Sequence, residues 1–186
     1  MKAVFPIVLA ALAVSSAAFA QAPQLTNDQI IARAVLAAPQ NMQAGATVVK
    51  WKPDFTYETL RQGTNKIFCF DRSGEPGQAA FAVQCTSLGN LARVAQNRKI
   101  ESEPDTAKRR LLVESMEKDG TRVKPEFGSF FKSMNGPDQE HARIHTTIAV
   151  PGATKESMGL PDNPTAGGAW IMNAGTTTAH IMSPGN

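Results

Sequence analysis

The sequence predicts an α+β fold: a mainly antiparallel sheet of about five to seven strands, with an N-terminal helix and two middle helices packed on it. Three observations predict it. Apolar residues alternate with period two over much of 46–72 and 127–182, the signature of strands. Apolar residues recur at helical spacing once near the N-terminus and twice in the middle. Turn residues punctuate these segments at short intervals, and no repeat or long linker divides the chain.

The elements follow in order. Thr26 or Asn27 caps a first helix, Asp28 sits in its first turn, and Ile30, Ile31, Ala34, Val35 and Ala38 form its apolar stripe. Pro39 stops it, so the helix spans 27–38. Thr47–Trp51 is β-rich, Pro53-Asp54 turns the chain, and Phe55–Leu60 alternates. After Gly63-Thr64-Asn65, Lys66–Phe70 is apolar on both faces and reads as a central strand. These three strands read as a meander. Residues 73–77 form a surface loop.

Leu88, Leu91, Ala92 and Ala95 predict a helix over about 87–98. Pro104 and Asp105 start a second at about 105–118, with Ala107, Leu111 and Met116 inward and Gly120 at its end. Phe127–Met134 reads as a strand with a glycine irregularity, and 135–138 as a turn. Arg143–Val150 alternates cleanly: Ile144, Thr146, Ile148 and Val150 face one way, and Arg143, His145, Thr147 and Ala149 the other. Ala169–Asn173 and Thr177–Met182 are the last two strands.

The first 20 of the 186 residues read as an export signal. Lys2 supplies the positive start, an apolar run reaches Ala13 or Val14, and Ala18-Phe19-Ala20 precedes a cut between Ala20 and Gln21. Residues 21–186 then form one domain of ordinary size. The apolar run is shorter than the roughly 20 residues that a spanning helix needs, so no stable membrane anchor is expected after cleavage. The alternative is an uncleaved signal anchor. The expected location is the bacterial periplasm or the medium.

Cys69 and Cys85 are the only cysteines, and an exported chain meets an oxidising compartment. They predict a disulfide. The alternative, a redox or metal-binding pair, lacks the C-x-x-C spacing. The formal charge is +3, or +2 without Lys2. The 93–124 segment carries nine of the basic residues but also six acids, which predicts a solvated face with local pairs. It contains no aromatic residue, so it lacks the pattern of a nucleic-acid site, and nucleic acid is not an expected partner. An anion-binding role for it is a fourth-ranked reading.

No G-x-S-x-G, P-loop, H-E-x-x-H or G-x-G-x-x-G motif is present, and no catalytic residue is assigned. The histidines are few enough to weigh singly. His141 and His145 lie four apart on a strand, roughly 13 Å, too far to share a metal. His145 and His180 each lie on the strand face opposite the isoleucines, and His180 shares its face with Met182. Trp170 and Met172 share a face of the neighbouring strand. Imidazole with thioether is a soft donor set suited to copper. The competing reading is hydrogen bonding within the sheet, with methionines filling gaps in the core.

Several motifs together resemble an uncharacterised group of small exported bacterial proteins. They are Ile31-Ala32-Arg33-Ala34…Ala37-Ala38-Pro39, Ala46-Thr47-Val48 with Trp51, and Leu60-Arg61-x-Gly63-Thr64-Asn65 before Cys69. They continue with His145-x-x-Ile148-x-Val150-Pro151, Gly159-Leu160-Pro161, Gly167-Gly168-x-Trp170-Ile171-Met172, and Gly175-Thr176…Ala179-His180-Ile181-Met182. The resemblance implies export, the disulfide and the fold, and brings no activity with it.

The leading expectation is an exported, non-catalytic binding or structural protein. One rival is a copper-type site of His145, His180 and Met182. The other is a hydrolase-like enzyme with His145 or His180 as base, which requires a histidine touching both a hydroxyl and a carboxylate.

Overall fold

A computed structural model describes residues 25–164 and 167–183. The expected cut between Ala20 and Gln21 lies outside the described residues. Eight strands form one sheet in the order β2-β1-β3-β4-β5-β6-β8-β7. They are β1 Thr47–Trp51, β2 Tyr57–Arg61, β3 Ile67–Asp71, β4 Phe81–Ser87, β5 Phe130–Gly136, β6 Arg143–Ala149, β7 Trp170–Met172 and β8 His180–Met182. Neighbours run antiparallel except β1 and β3, which are parallel. The helices are α1 Asn27–Ala34, α2 Leu91–Glu101, α3 Thr106–Lys118 and the short α4 Lys155–Met158.

The α+β architecture stands, with one strand more than the expected range. The expected meander does not form. β1 and β2 make a hairpin, but β3 passes to the other side of β1 and pairs with it in parallel. The reason lies in the segment after β2. Arg61 donates to the carbonyls of Gln43 and Ala46. Thr64 and Asn65 donate their backbone N–H groups to the Gly45 carbonyl, and Asn65 Nδ2 donates to Met42 O. This Arg61–Asn65 clamp holds the chain beside the start of β1, so β3 sets out from the same end. Gly63 has to be glycine here: a Cβ would lie 2.3 Å from Gly45 O and 2.4 Å from Thr47 N.

Helices cover both faces of the first half of the sheet. Thr26 caps α1 in a reciprocal box with Gln29, and a 3-10 turn over Val35–Ala37 ends the helix earlier than the expected residue 38. This layer packs on Val48, Ile67, Cys69, Phe81, Val83 and Cys85. Cys69 and Cys85 stand directly opposite each other on β3 and β4 and are joined by the disulfide, with neither residue exposed. The other face presents Val49, Phe68 and Phe70 to α2 through Val94. Each buried phenylalanine contributes roughly 2–3 kcal/mol relative to exposure. A third cluster of Val150, Ala153, Ile171 and Ala179 fixes the C-terminal strands.

The middle helices turn inward only part of the faces expected: Leu88 and Leu91 pack against the Val49, Phe68 and Phe70 core and Met116 is half-buried, but Ala107 is exposed. α2 buries Arg93, Val94 and Ile100, whereas Ala92 is exposed. α3 is capped by Asp105 but buries no residue, and Leu111 is 58% exposed. The charged segment 93–124 is thus only partly a solvated face. Arg110 pairs with Glu114 at the surface, but Arg93 and Arg122 are buried.

Candidate functional site

His145 and His180 share the sheet face that their alternation predicts, but they are not neighbours. The register sets Ala149 opposite His180. His145 lies four residues from Ala149, roughly 13 Å along β6. Met182 lies on the same face as His180, opposite Trp170, and Met172 stands opposite His180. A metal needs its ligand atoms within about 2.0–2.3 Å, so the register keeps His145 out of any first coordination shell that holds His180. Among the described residues no group of three His, Cys, Asp or Glu side chains converges on a metal position.

The histidines make other contacts. His141 Nδ1 sits 2.8 Å from Asp138 Oδ1 at the exposed β5–β6 turn. The two backbone and side-chain bonds from His141 hold the Asp138 carboxyl below the usual carboxylate range. His180 Nδ1 lies 2.8 Å from the Thr178 carbonyl, so that nitrogen carries the proton and donates it. None of the three touches both a hydroxyl and a carboxylate among the described residues.

A cavity of about 430 Å³ lies elsewhere, between the β1–β2 turn, the loop after β3, the end of α2 and the start of α3. That volume falls in the range of small-molecule sites. Ion pairs brace its base. Arg72 bridges Glu75 and Glu101 at 3.1 and 2.5 Å, and Arg98 grips both oxygens of Glu75 at 2.6 and 3.0 Å. Arg98 also lies 5.4 Å from the Trp51 ring centroid, which sets its plane. Both guanidiniums are ion-paired within the protein, although the Arg98 Nε is buried without an acceptor.

Two cations in the wall are not. Lys52 forms no ion pair among the described residues. Arg109 donates an Nη2 hydrogen to Thr106, but its Nε is buried without an acceptor. Pro53, Pro76, Pro104 and Phe55 give the cavity apolar walls.

Phe55 adds a second signal. The Phe55 N–H donates to Lys52 O and closes the hairpin turn, while Asp54 Oδ1 accepts from the Thr56 N–H and hydroxyl. Position 55 has φ +65°, the left-handed region that such turns normally give to glycine or asparagine. A phenylalanine there costs about 1–2 kcal/mol. Strain of this kind concentrates at functional sites. No histidine or cysteine among the described residues lines the cavity, and the Ser102 hydroxyl is donated to Lys99 O. The arrangement can hold an anion with an apolar body.

Sequence reasoning missed this site because its residues come from four segments. The available signal was Phe55 directly after Pro53-Asp54, where a turn calls for a residue tolerant of positive φ. Comparison with family models, with curated proteins and with solved structures finds no match to this chain.

Proposed function

We propose that the protein is an exported, non-catalytic binding protein whose large cavity takes a small organic anion with an aromatic or branched apolar body. The observation that carries this reading is Phe55, held at positive φ on the cavity wall where glycine would cost less. The ligand's ring rests on Phe55 and the prolines, and its carboxylate meets Lys52 and Arg109. Export is supported by the signal pattern of residues 1–20 and by the buried disulfide. A mature N-terminus at Gln21 is the expected product of secretion.

Calorimetric titration with phenylacetate tests the binding reading. Saturable binding is expected, weakened by about tenfold or more in Arg109→Gln, since a charge-assisted hydrogen bond contributes about 1.5–3 kcal/mol. Phe55→Gly should bind equally poorly yet stay within about 1 kcal/mol of wild-type stability, because relief of backbone strain offsets the lost half-buried ring. The reading fails if neutral phenylacetamide binds as well as phenylacetate, or if neither binds saturably. It fails too if Phe55→Gly unfolds the protein, which would make Phe55 a packing residue.

A further inference from the structure

A second cavity of about 170 Å³ opens on the sheet face that carries His180, between α2, the segment after α3, and strands β6 and β8. Arg93 forms part of its wall and is 3% exposed. Nη1 donates to Val123 O at 2.5 Å and to Thr177 Oγ1 at 2.9 Å, and Nη2 donates to Thr178 Oγ1 at 2.8 Å. These bonds use three of the five N–H groups that a guanidinium carries. The Nε–H and one Nη2–H have no acceptor among the described residues.

Arg122 is also buried, and its Nη atoms donate to Gln96 Oε1 at 2.6 Å and Asn97 Oδ1 at 2.5 Å. Neither arginine has a carboxylate within 4.0 Å among the described residues. Glu117 serves both at longer range. It reaches Arg93 through Thr177, whose hydroxyl accepts from Arg93 and donates to Glu117 Oε1 at 2.6 Å. Glu101 adds a second, half-exposed carboxylate on the Arg122 side. Burial, and then the charge of Arg122, bring the Arg93 pKa down to about 10, so at neutral pH Arg93 remains a cation. A buried cation without a contacting anion is costly, and proteins resolve that cost by pairing it.

We propose that this cavity is a second binding site, for a short-chain carboxylate that takes the free N–H groups of Arg93. The Asn97 carbonyl oxygen is used by Arg122, which leaves its amide NH2 group as a further donor at the cavity wall. Phe131, Pro125 and Ala149 receive the carbon chain. A phosphate dianion would bring a second charge into a wall that is half apolar, and one guanidinium would have to meet both charges.

Propionate is the probe, added to the mature chain at constant ionic strength, with the Arg93 Nε–H resonance as the readout. A saturable shift of that resonance is expected, with chloride giving none. Thr147→Met fills the cavity and leaves every bond of Arg93 in place. It should weaken propionate about tenfold or more, the loss of one charge-assisted pair. Asn97→Asp supplies the missing anion from within, so propionate should again bind about tenfold or more weakly while the chain folds no less stably. Arg109→Gln, in the larger cavity, should leave propionate binding unchanged, which separates this site from the one proposed above. Propionate acting no differently from chloride overturns the inference, as does undiminished binding by both Thr147→Met and Asn97→Asp. Saturable phosphate binding without propionate binding overturns the carboxylate assignment.

Discussion

Reducing the Cys69–Cys85 bridge should destabilise the fold by an amount that can be worked from its position. The bridge closes a loop with a sequence separation of 16. For a loop of that size the chain-entropy relation gives about 3 kcal/mol at 25 °C. β3 and β4 bring the two residues directly opposite each other in the register, so the reduced chain can form the same ladder. The loss therefore comes mainly from the freed unfolded state. For a domain of this size it corresponds to a fall in Tm of about 6–12 °C. The assay is urea unfolding of the oxidised chain, and of a chain reduced while unfolded and then refolded in reductant. A difference below about 1 kcal/mol would refute the reasoning, because the unfolded chain would then gain little freedom. Both cysteines are fully buried, Cys85 against the carbonyl of Ala34, so added reductant should attack the native protein only as fast as it opens.

Two further outcomes test the fold. Gly63→Ala should cost about 3 kcal/mol in chemical unfolding, since the new methyl group meets backbone that the Arg61–Asn65 clamp holds still. Gly74→Ala, with nothing within 4 Å of its added Cβ but φ +79°, should cost only the left-handed strain of about 1–2 kcal/mol. For acid stability, burial alone would raise the Glu117 pKa, but hydrogen bonds from Thr177 and the charges of Arg93 and Arg122 outweigh it and hold the carboxyl below its ordinary value. Its contribution is therefore full above the unfolded-state pKa and disappears as pH falls through the lower folded value. Thermal melts of Glu117→Gln should show a shallower loss of stability between pH 5 and 3 than wild type; parallel curves would refute this.

What was legible in the sequence is local. The Thr26 cap, the Asp105 cap, the alternation of β6 and the punctuation by Pro and Gly act over a few residues, and each appears where its pattern placed it. The strand at 81–87 was legible too, since Phe81, Val83 and Cys85 alternate with Ala82, Gln84 and Thr86, but its second face is also buried, with Ala82 and Thr86 fully covered, which no local pattern shows. The face of α2 was legible only in part: Leu88 and Leu91 pack on the core, but Arg93 is buried as well, and a buried arginine looks like a surface arginine in a sequence. Its acceptors, Val123, Thr177 and Thr178, lie 30 to 85 residues away.

The same division holds for function. The sequence by itself determined an α+β chain with a single cysteine pairing and a strand face shared by His180 and Met182, because strand period and cysteine count are properties of the chain. Only the tertiary structure decided which side chains meet. The register carried His145 away from His180, the Arg61–Asn65 clamp sent β3 to the far side of β1, and long-range packing brought Arg109 to Lys52 and Phe55 around one cavity and Phe131 and Thr147 to Arg93 around another. Those meetings depend on contacts between distant segments, and no local pattern encodes them.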